Sequence, residues 1–209
     1  MANTENAKAP LARVLFAMNL LKPGKKIKAK DKKEYDYWDV TFGWPKDADL
    51  TVLRNMVTEA AVAEWGEKAR DWLKNGTIKT PFLDGDGPQG VSKKTGERYG
   101  GYEGHWFVRT GSYQKPGVFD RAAHPTDDPQ VAYAGAYAYP VLNAYTWVDD
   151  KAGKGVTFGL SLVQFVKDGE RLGGGAAQAD PSKFFESIPD EGGAPAAAKE
   201  GQGAAALFS

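Results

Sequence analysis

The chain has 209 residues, of which 42% are hydrophobic and 12% aromatic, enough apolar material for one core of ordinary domain size. Cysteine is absent, which excludes disulfide frameworks, zinc ribbons and thiolate nucleophiles, and no run of about 18 apolar residues offers a membrane span. Lys and Arg number 27 and so do Asp and Glu, for a net charge of zero, yet the front of the chain is basic and its tail mildly acidic.

Residues 1–10 lack the cationic-then-apolar layout of an export signal and are expected to form a flexible start. Leu11 to Leu21 reads as an apolar strand ended by Pro23-Gly24. A lysine cluster follows, Lys22, Lys25, Lys26, Lys28, Lys30, Lys32 and Lys33, opposed only by Asp31. It runs into a second strand, Glu34 to Trp44. Here Trp38, Val40, Phe42 and Trp44 make one apolar face, while Tyr35, Tyr37, Asp39 and Thr41 fall on the other.

From Asp49 to Asn75 the period becomes helical, with Asp47 or Asp49 as a start cap and Gly76 at the end. Trp65 and Trp72 lie on its apolar stripe and read as core. Residues 77–104, rich in Gly, Pro and charge, read as a long exposed loop. Three more strands follow, His105 to Tyr113, Gly135 to Val148 and Gly155 to Val166, the last two forming a hairpin. After Gly173-Gly174-Gly175 the composition turns to Ala, Gly, Pro and acids, so 176–209 is expected to be a disordered tail. Five strands and one principal helix, without strand–helix alternation, predict a mainly β domain over 11–175: a five-stranded antiparallel barrel of the OB type, a common host for oligonucleotides.

Catalytic and cofactor motifs fail on their context. Gly85, Gly87 and Gly90 spell G-x-G-x-x-G, but no strand precedes them and no helix begins there. Asp84 and Asp86 open a calcium-loop pattern that Gly87 interrupts and no glutamate closes. The two histidines, His105 and His124, have no metal-ligand spacing and no nucleophile partner. The expectation is therefore no enzyme, no metal and no cofactor.

Proteins that hold single strands combine a cationic groove for phosphates with aromatic rings on which unpaired bases stack. Both ingredients are interleaved here. The candidate cations are Lys25, Lys26, Lys28, Lys30, Lys32, Lys33, Arg109, Lys115 and Arg121, and the candidate rings Tyr35, Tyr37, Phe107 and Tyr113. Trp106 and Val108 alternate against Phe107 and Arg109, and the arginine makes the second pair the groove side. Tyr137, Tyr139, Tyr145 and Trp147 are as readily core; of these only Tyr139 joins the set.

Three blocks carry a family resemblance: Lys115-Pro116-Gly117-Val118-Phe119-Asp120-Arg121, then Tyr133-Ala134-Gly135-Ala136-Tyr137, and above all Lys154-Gly155-Val156 through Gly159-Leu160 to the run Val163 to Gly174. With these the chain resembles a family of bacteriophage single-stranded DNA-binding proteins, an OB-fold group long catalogued as a domain of unknown function. The resemblance implies protection of single strands in phage DNA replication, recombination and repair, inside the host cytoplasm. It also implies a C-terminal arm that contacts replication or recombination proteins, for which Leu207 and Phe208 are the candidates. The arm departs from the pattern, being weakly acidic and ending in Ser209 after Phe208. The rival readings are a strand-annealing recombination mediator and a phage structural or carbohydrate-binding β-domain.

Overall fold

In the computed structural model the described residues are 1–24, 27–28 and 34–172, with the backbone alone at 27–28. Period-2 alternation gives strands and the one 3.6-period stretch gives helices. In chain order these are β1 (Ala7–Lys8), β2 (Ala12–Asn19), β3 (Ile27–Lys28), β4 (Glu34–Tyr35), β5 (Trp38–Pro45), α1 (Thr51–Trp65), α2 (Ala69–Lys74), β6 (Leu83–Asp84), β7 (His105–Ser112), β8 (Gly117–Phe119), β9 (Tyr137–Asp149) and β10 (Gly153–Lys167).

The long strands close on themselves in the circuit β2–β5–β7–β10–β9–β2. This is the expected OB-like barrel with one difference. Four seams are antiparallel, but β7 and β10 run parallel, with Thr110 beside Phe158 and Gly111 beside Gly159. The reason is parity: directions cannot alternate all the way round a ring with an odd number of strands, so a closed five-stranded barrel needs a parallel seam. Inside lie Val14, Val40, Phe42, Trp44, Val108, Leu142, Val156 and Phe158, all essentially sealed from solvent.

The helix expected over 49–75 is two helices. The cap of α1 is Leu50, not Asp47 or Asp49, and Asp49, one position earlier, accepts a hydrogen bond from the Thr51 N–H at 2.9 Å. Gly66, at φ +73°, then breaks the run where only glycine sits without strain. Leu53, Met56, Val57, Ala60 and Ala61 bury α1 against the hydrophobic core, in contact with β9 and β10. Trp65 and Trp72 pack on that core, under the Lys154 ammonium at 5.4 and 3.5 Å from their rings.

Two expectations are corrected. The first residues do not form a loose end. Ala7 and Lys8 pair with Leu142 and Val141, and Asn3 bridges to Tyr145, so the segment covers β9 beyond the point where β2 stops pairing with it. Its terminal ammonium lies 3.1 Å from Glu64 and holds that carboxyl below the usual range, with the Ala2 N–H donating to the same oxygen. Residues 77–104 likewise fold back on the barrel. Ile78 and Tyr102 are buried, and β6 pairs Leu83 with Phe107.

The acidic pair read as a broken calcium loop clamps this segment. Asp84 and Asp86 each lie 2.7 Å from the Lys46 ammonium, whose donated hydrogen bonds hold both carboxyls below their ordinary 3.8. The depressed carboxyls contribute stability above that value, and the contribution fades as pH falls through their folded pKa. Arg98 donates to the Gly85 and Asp86 carbonyls. Gly85 and Gly90 are packing positions: a side chain at Gly85 would strike the Tyr102 carbonyl, and one at Gly90 the Gly85 carbonyl. The expected tail at 176–209, with Leu207 and Phe208, lies outside the described residues.

Phe158 is fully buried in the barrel and meets Phe82 edge-on at 6.0 Å. Phe158→Ala is expected to cost about 3–5 kcal/mol in chemical denaturation. A loss below about 1 kcal/mol would mean that the ring does not sit in a closed core.

Candidate nucleic-acid interface

The outward positions of β5, β7, β10 and β9 form one face, and its geometry is set by missing side chains. Gly111 on β7 and Gly159 on β10 lie side by side across the parallel seam. A Cβ on Gly111 would collide with the hydroxyl and ring of Tyr37, which therefore lies across the bare backbone. The same device recurs nearby, where Trp147 lies against Gly155 and Asn143 against Gly159.

Around Tyr37 the rings gather. Tyr113 meets Tyr37 at 5.2 Å and Tyr35 at 6.1 Å between centroids, both edge to face, as their quadrupoles prefer. Burial pushes the Tyr37 phenol up to about 12, with smaller contributions from the neighbouring Tyr145, Tyr113 and Asp39. Tyr145 is raised for the same reasons, burial first and then Tyr113. Tyr35 and Tyr113 keep 38% and 54% of their surface exposed, so the cluster is a packed base with a wet rim.

Two described pieces of the lysine-rich segment adjoin this face. The Gly24 N–H donates to the Tyr37 carbonyl at 2.9 Å, and β3 pairs with β4, Ile27 facing Tyr35 and Lys28 facing Glu34. Lys25, Lys26, Lys30, Lys32 and Lys33 lie outside the described residues, as does the side chain of Lys28. Arg109 is exposed on the same side of β7 as Gly111, about 7 Å along the strand. With Lys93, Lys94 and Tyr99 it lines an open groove of about 610 Å³.

The remaining sequence candidates fall elsewhere. Phe107 is corrected: it does face outward from the barrel, but its exposure is 0%, because Leu15, Leu83 and Tyr102 cover it, Tyr102 at 4.8 Å between ring centroids. Alternation assigned the right face and could not reveal that a loop folds over it. Lys115 is ion-paired with Asp127 at 2.8 Å. Arg121 is exposed and donates to the Val166 carbonyl at 2.8 Å, beside β10, and Tyr139 lies under the Lys8 ammonium at 3.9 Å. Sequence reasoning missed Tyr145, Lys93, Lys94 and Tyr99. Tyr145 stood in the same odd-numbered series as Tyr139, and Lys93-Lys94 with Tyr99 repeats the cation-plus-ring pattern inside a segment read only as loop.

A closed five-stranded barrel with Tyr37 just before its second strand, β5, Arg109 on its third, β7, and Tyr113 just after it, and with a lysine-rich connection between β2 and β5, is a barrel of the OB class, a fold that hosts oligonucleotides on its second and third strands. Residues 13–192 match the family described as Enterobacter phage Enc34, ssDNA-binding protein, and the chain belongs to that family. The chain is similar in fold to the single-stranded DNA-binding protein from bacteriophage Enc34 in complex with ssDNA, at 19% identity and TM-score 0.52, covering 82% of this chain and 88% of that one. It is similar too to gp2.5, a single-stranded DNA-binding protein encoded by bacteriophage T7, at 14% identity and TM-score 0.53, covering 92% and 99%. A curated relative, putative protein p50 of Acyrthosiphon pisum secondary endosymbiont phage 1, is 30% identical over 123 residues, 56% of this chain and 61% of that protein. The match thus spans less than two thirds of that relative's length. No helix among the described residues is long and apolar enough to cross a membrane.

The seat under Tyr37 is testable without any ligand. A raised phenol pKa means that the ring is neutral in the fold, and its contribution to stability is lost as pH climbs from 10 through about 12. Tyr37→Phe should delete the highest step from a tyrosinate absorbance titration. Gly111→Ala should lift the ring into solvent and bring that step down towards 10; an unchanged titration would show that Tyr37 does not rest on Gly111.

Proposed function

We propose that this chain binds single-stranded DNA with little sequence preference, coating and protecting it during phage replication, recombination and repair. The observation that carries the reading is the cluster of Tyr35, Tyr37 and Tyr113, built on Tyr37 where it lies across Gly111, with Arg109 on the same side of β7. Exposed phenol edges offer platforms to bases of any identity, and flanking cations neutralise phosphates without reading sequence. The names of the family and of the Enc34 and T7 proteins point the same way.

On this reading the chain acts in the host cytoplasm as a binding protein, without a catalytic step and without a metal or cofactor. Arg109, Lys93, Lys94 and the lysines of the cluster hold phosphates, while Tyr35, Tyr37 and Tyr113 stack. Phe107 supports the face from below. Contacts with phage replication or recombination proteins fall to Leu207 and Phe208.

Titration of labelled oligonucleotides at two salt concentrations tests this. Replacing Tyr35 or Tyr113 by Ala should lower affinity by about 1–3 kcal/mol per lost stack, roughly 5- to 160-fold, without moving the melting temperature. The log–log salt slope should be about 0.7 per phosphate neutralised. A protein that ignores single strands but retains glycans on an array would replace this reading with the carbohydrate one.

A further inference from the structure

The sequence candidates Arg121 and Tyr139 do not join the tyrosine cluster, and the surface they occupy has its own organisation. Tyr145 and Tyr139 face outward from the same strand, three two-residue steps apart, about 20 Å. Between them the N-terminal segment lays a polar bridge, Asn143 donating to Asn3 at 2.6 Å and Ser161 to Asn6 at 2.7 Å. Beyond the bridge come three consecutive outward tyrosines, each under its own cation. Lys8 Nζ stands 3.9 Å from the Tyr139 ring, Lys167 Nζ 5.3 Å from Tyr137, and the Arg171 guanidinium 3.9 Å from Tyr133.

The three rings are contiguous. Tyr137 follows Tyr139 on β9, and Gly169 joins Tyr137 to Tyr133: a Cβ there would press on the Tyr137 ring, while the Gly169 N–H donates to the Tyr133 hydroxyl at 3.2 Å. The cations come from two distant parts of the chain, Lys8 on β1 and Lys167 and Arg171 at and just after the end of β10, so no single lysine run accounts for them. Arg121 lies alongside, in a groove of about 270 Å³ shared with Lys167. Asp120 and Asp168 also face that groove, Asp168 accepting from the Tyr133 hydroxyl at 3.1 Å, and these two acids are outnumbered by Lys8, Lys167, Arg171 and Arg121.

Tyr133, Tyr137 and Tyr139 are half-buried, and a cation over such a ring is a weaker contact than a nucleobase stacked on it. A phosphate can therefore draw the ammonium or guanidinium aside, and the base that follows takes the bared ring. From this we infer that the strip Tyr139–Tyr137–Tyr133, with Lys8, Lys167 and Arg171, is a second section of the single-strand track, reached only by strands long enough to pass the Asn3–Asn143 bridge. The inference rests on the proposed single-strand binding and adds the residues that set the length of strand occluded.

The test uses the full chain with oligothymidylates of about 6 and about 16 nucleotides, lengths within the range of an OB unit. Wild-type protein should bind the longer strand more tightly and with a log–log salt slope steeper by about 2, three phosphates at about 0.7 each. The variant Lys8→Ala/Lys167→Ala/Arg171→Ala should keep its affinity for the short strand, lose most of the gain on lengthening, and lose the added slope. Tyr137→Ala/Tyr139→Ala should lose the gain in affinity and keep the slope. Either variant binding both lengths like wild type overturns the inference, and so does an equal loss at both lengths, which would place the strip in the first contact. Failure of wild-type protein to bind at any length would instead sink the functional reading beneath it.

Discussion

A tyrosine can lie flat on the outside of a β-barrel only where the strand beneath carries no side chain. Gly111 provides that place, and the parallel seam sets Gly159 beside it, so Tyr37 occupies a shallow bed in the sheet. Everything proposed for this face depends on that seat. Tyr113 and Tyr35 pack edge-on in sequence from the seated ring, and Tyr145 on β9 lies near enough to raise the Tyr37 phenol. Because Tyr37 is half-buried and Tyr113 is not, the buried ring orders the exposed one before any ligand arrives. Less freedom then has to be given up when a base stacks.

The loop over Phe107 obeys the same economy of covering. A strand face with an outward phenylalanine would expose a large apolar surface, and the chain covers it with Leu83 and Tyr102 from the segment between α2 and β7. Lys46, Asp84, Asp86 and Arg98 fasten that segment at its base. Fastened there, it carries Lys93, Lys94 and Tyr99 to the flank of Arg109, beside the bed of Tyr37. One small core thus turns a hydrophobic liability into the wall of a cationic groove.

What could be read in the sequence follows from which physical rules are local. Alternation over Trp38 to Trp44 identified the buried face of β5, and the hairpin at Asp149 to Gly153 was legible from its turn composition. Alternation also placed Phe107 and Arg109 on one face, correctly. It could not say that Phe107 would be roofed and Arg109 left open, because the roof is a loop that folds back, bringing Leu83 and Tyr102 over the strand together with Leu15 from β2. The odd-numbered series Tyr137 to Trp147 shows the same limit from the other side: a ring every second residue fits a core or a surface equally, and only closure of the barrel puts these rings outside. The parallel seam was not a matter of residues at all. Strand count alone requires it once the sheet closes.

The zero net charge argues less against a polyanionic ligand than it first suggests. At about 0.1 M salt a charge is felt over roughly 10 Å, so a phosphate senses the few side chains beside it and not the total over the chain. Several surface cations are already engaged: Lys115 with Asp127, Lys8 over Tyr139, Arg171 over Tyr133. Exposed contacts of these kinds stabilise the free protein by about 1 kcal/mol or less each. A phosphate that displaces the partner and releases condensed counterions gains more than the contact it breaks. The Lys115–Asp127 pair cancels charge in the free protein, while Lys8 and Arg171 keep theirs over neutral rings, available to a phosphate. Neutrality in the free state and affinity for a polyanion are compatible because the pairs are weak, exposed and exchangeable.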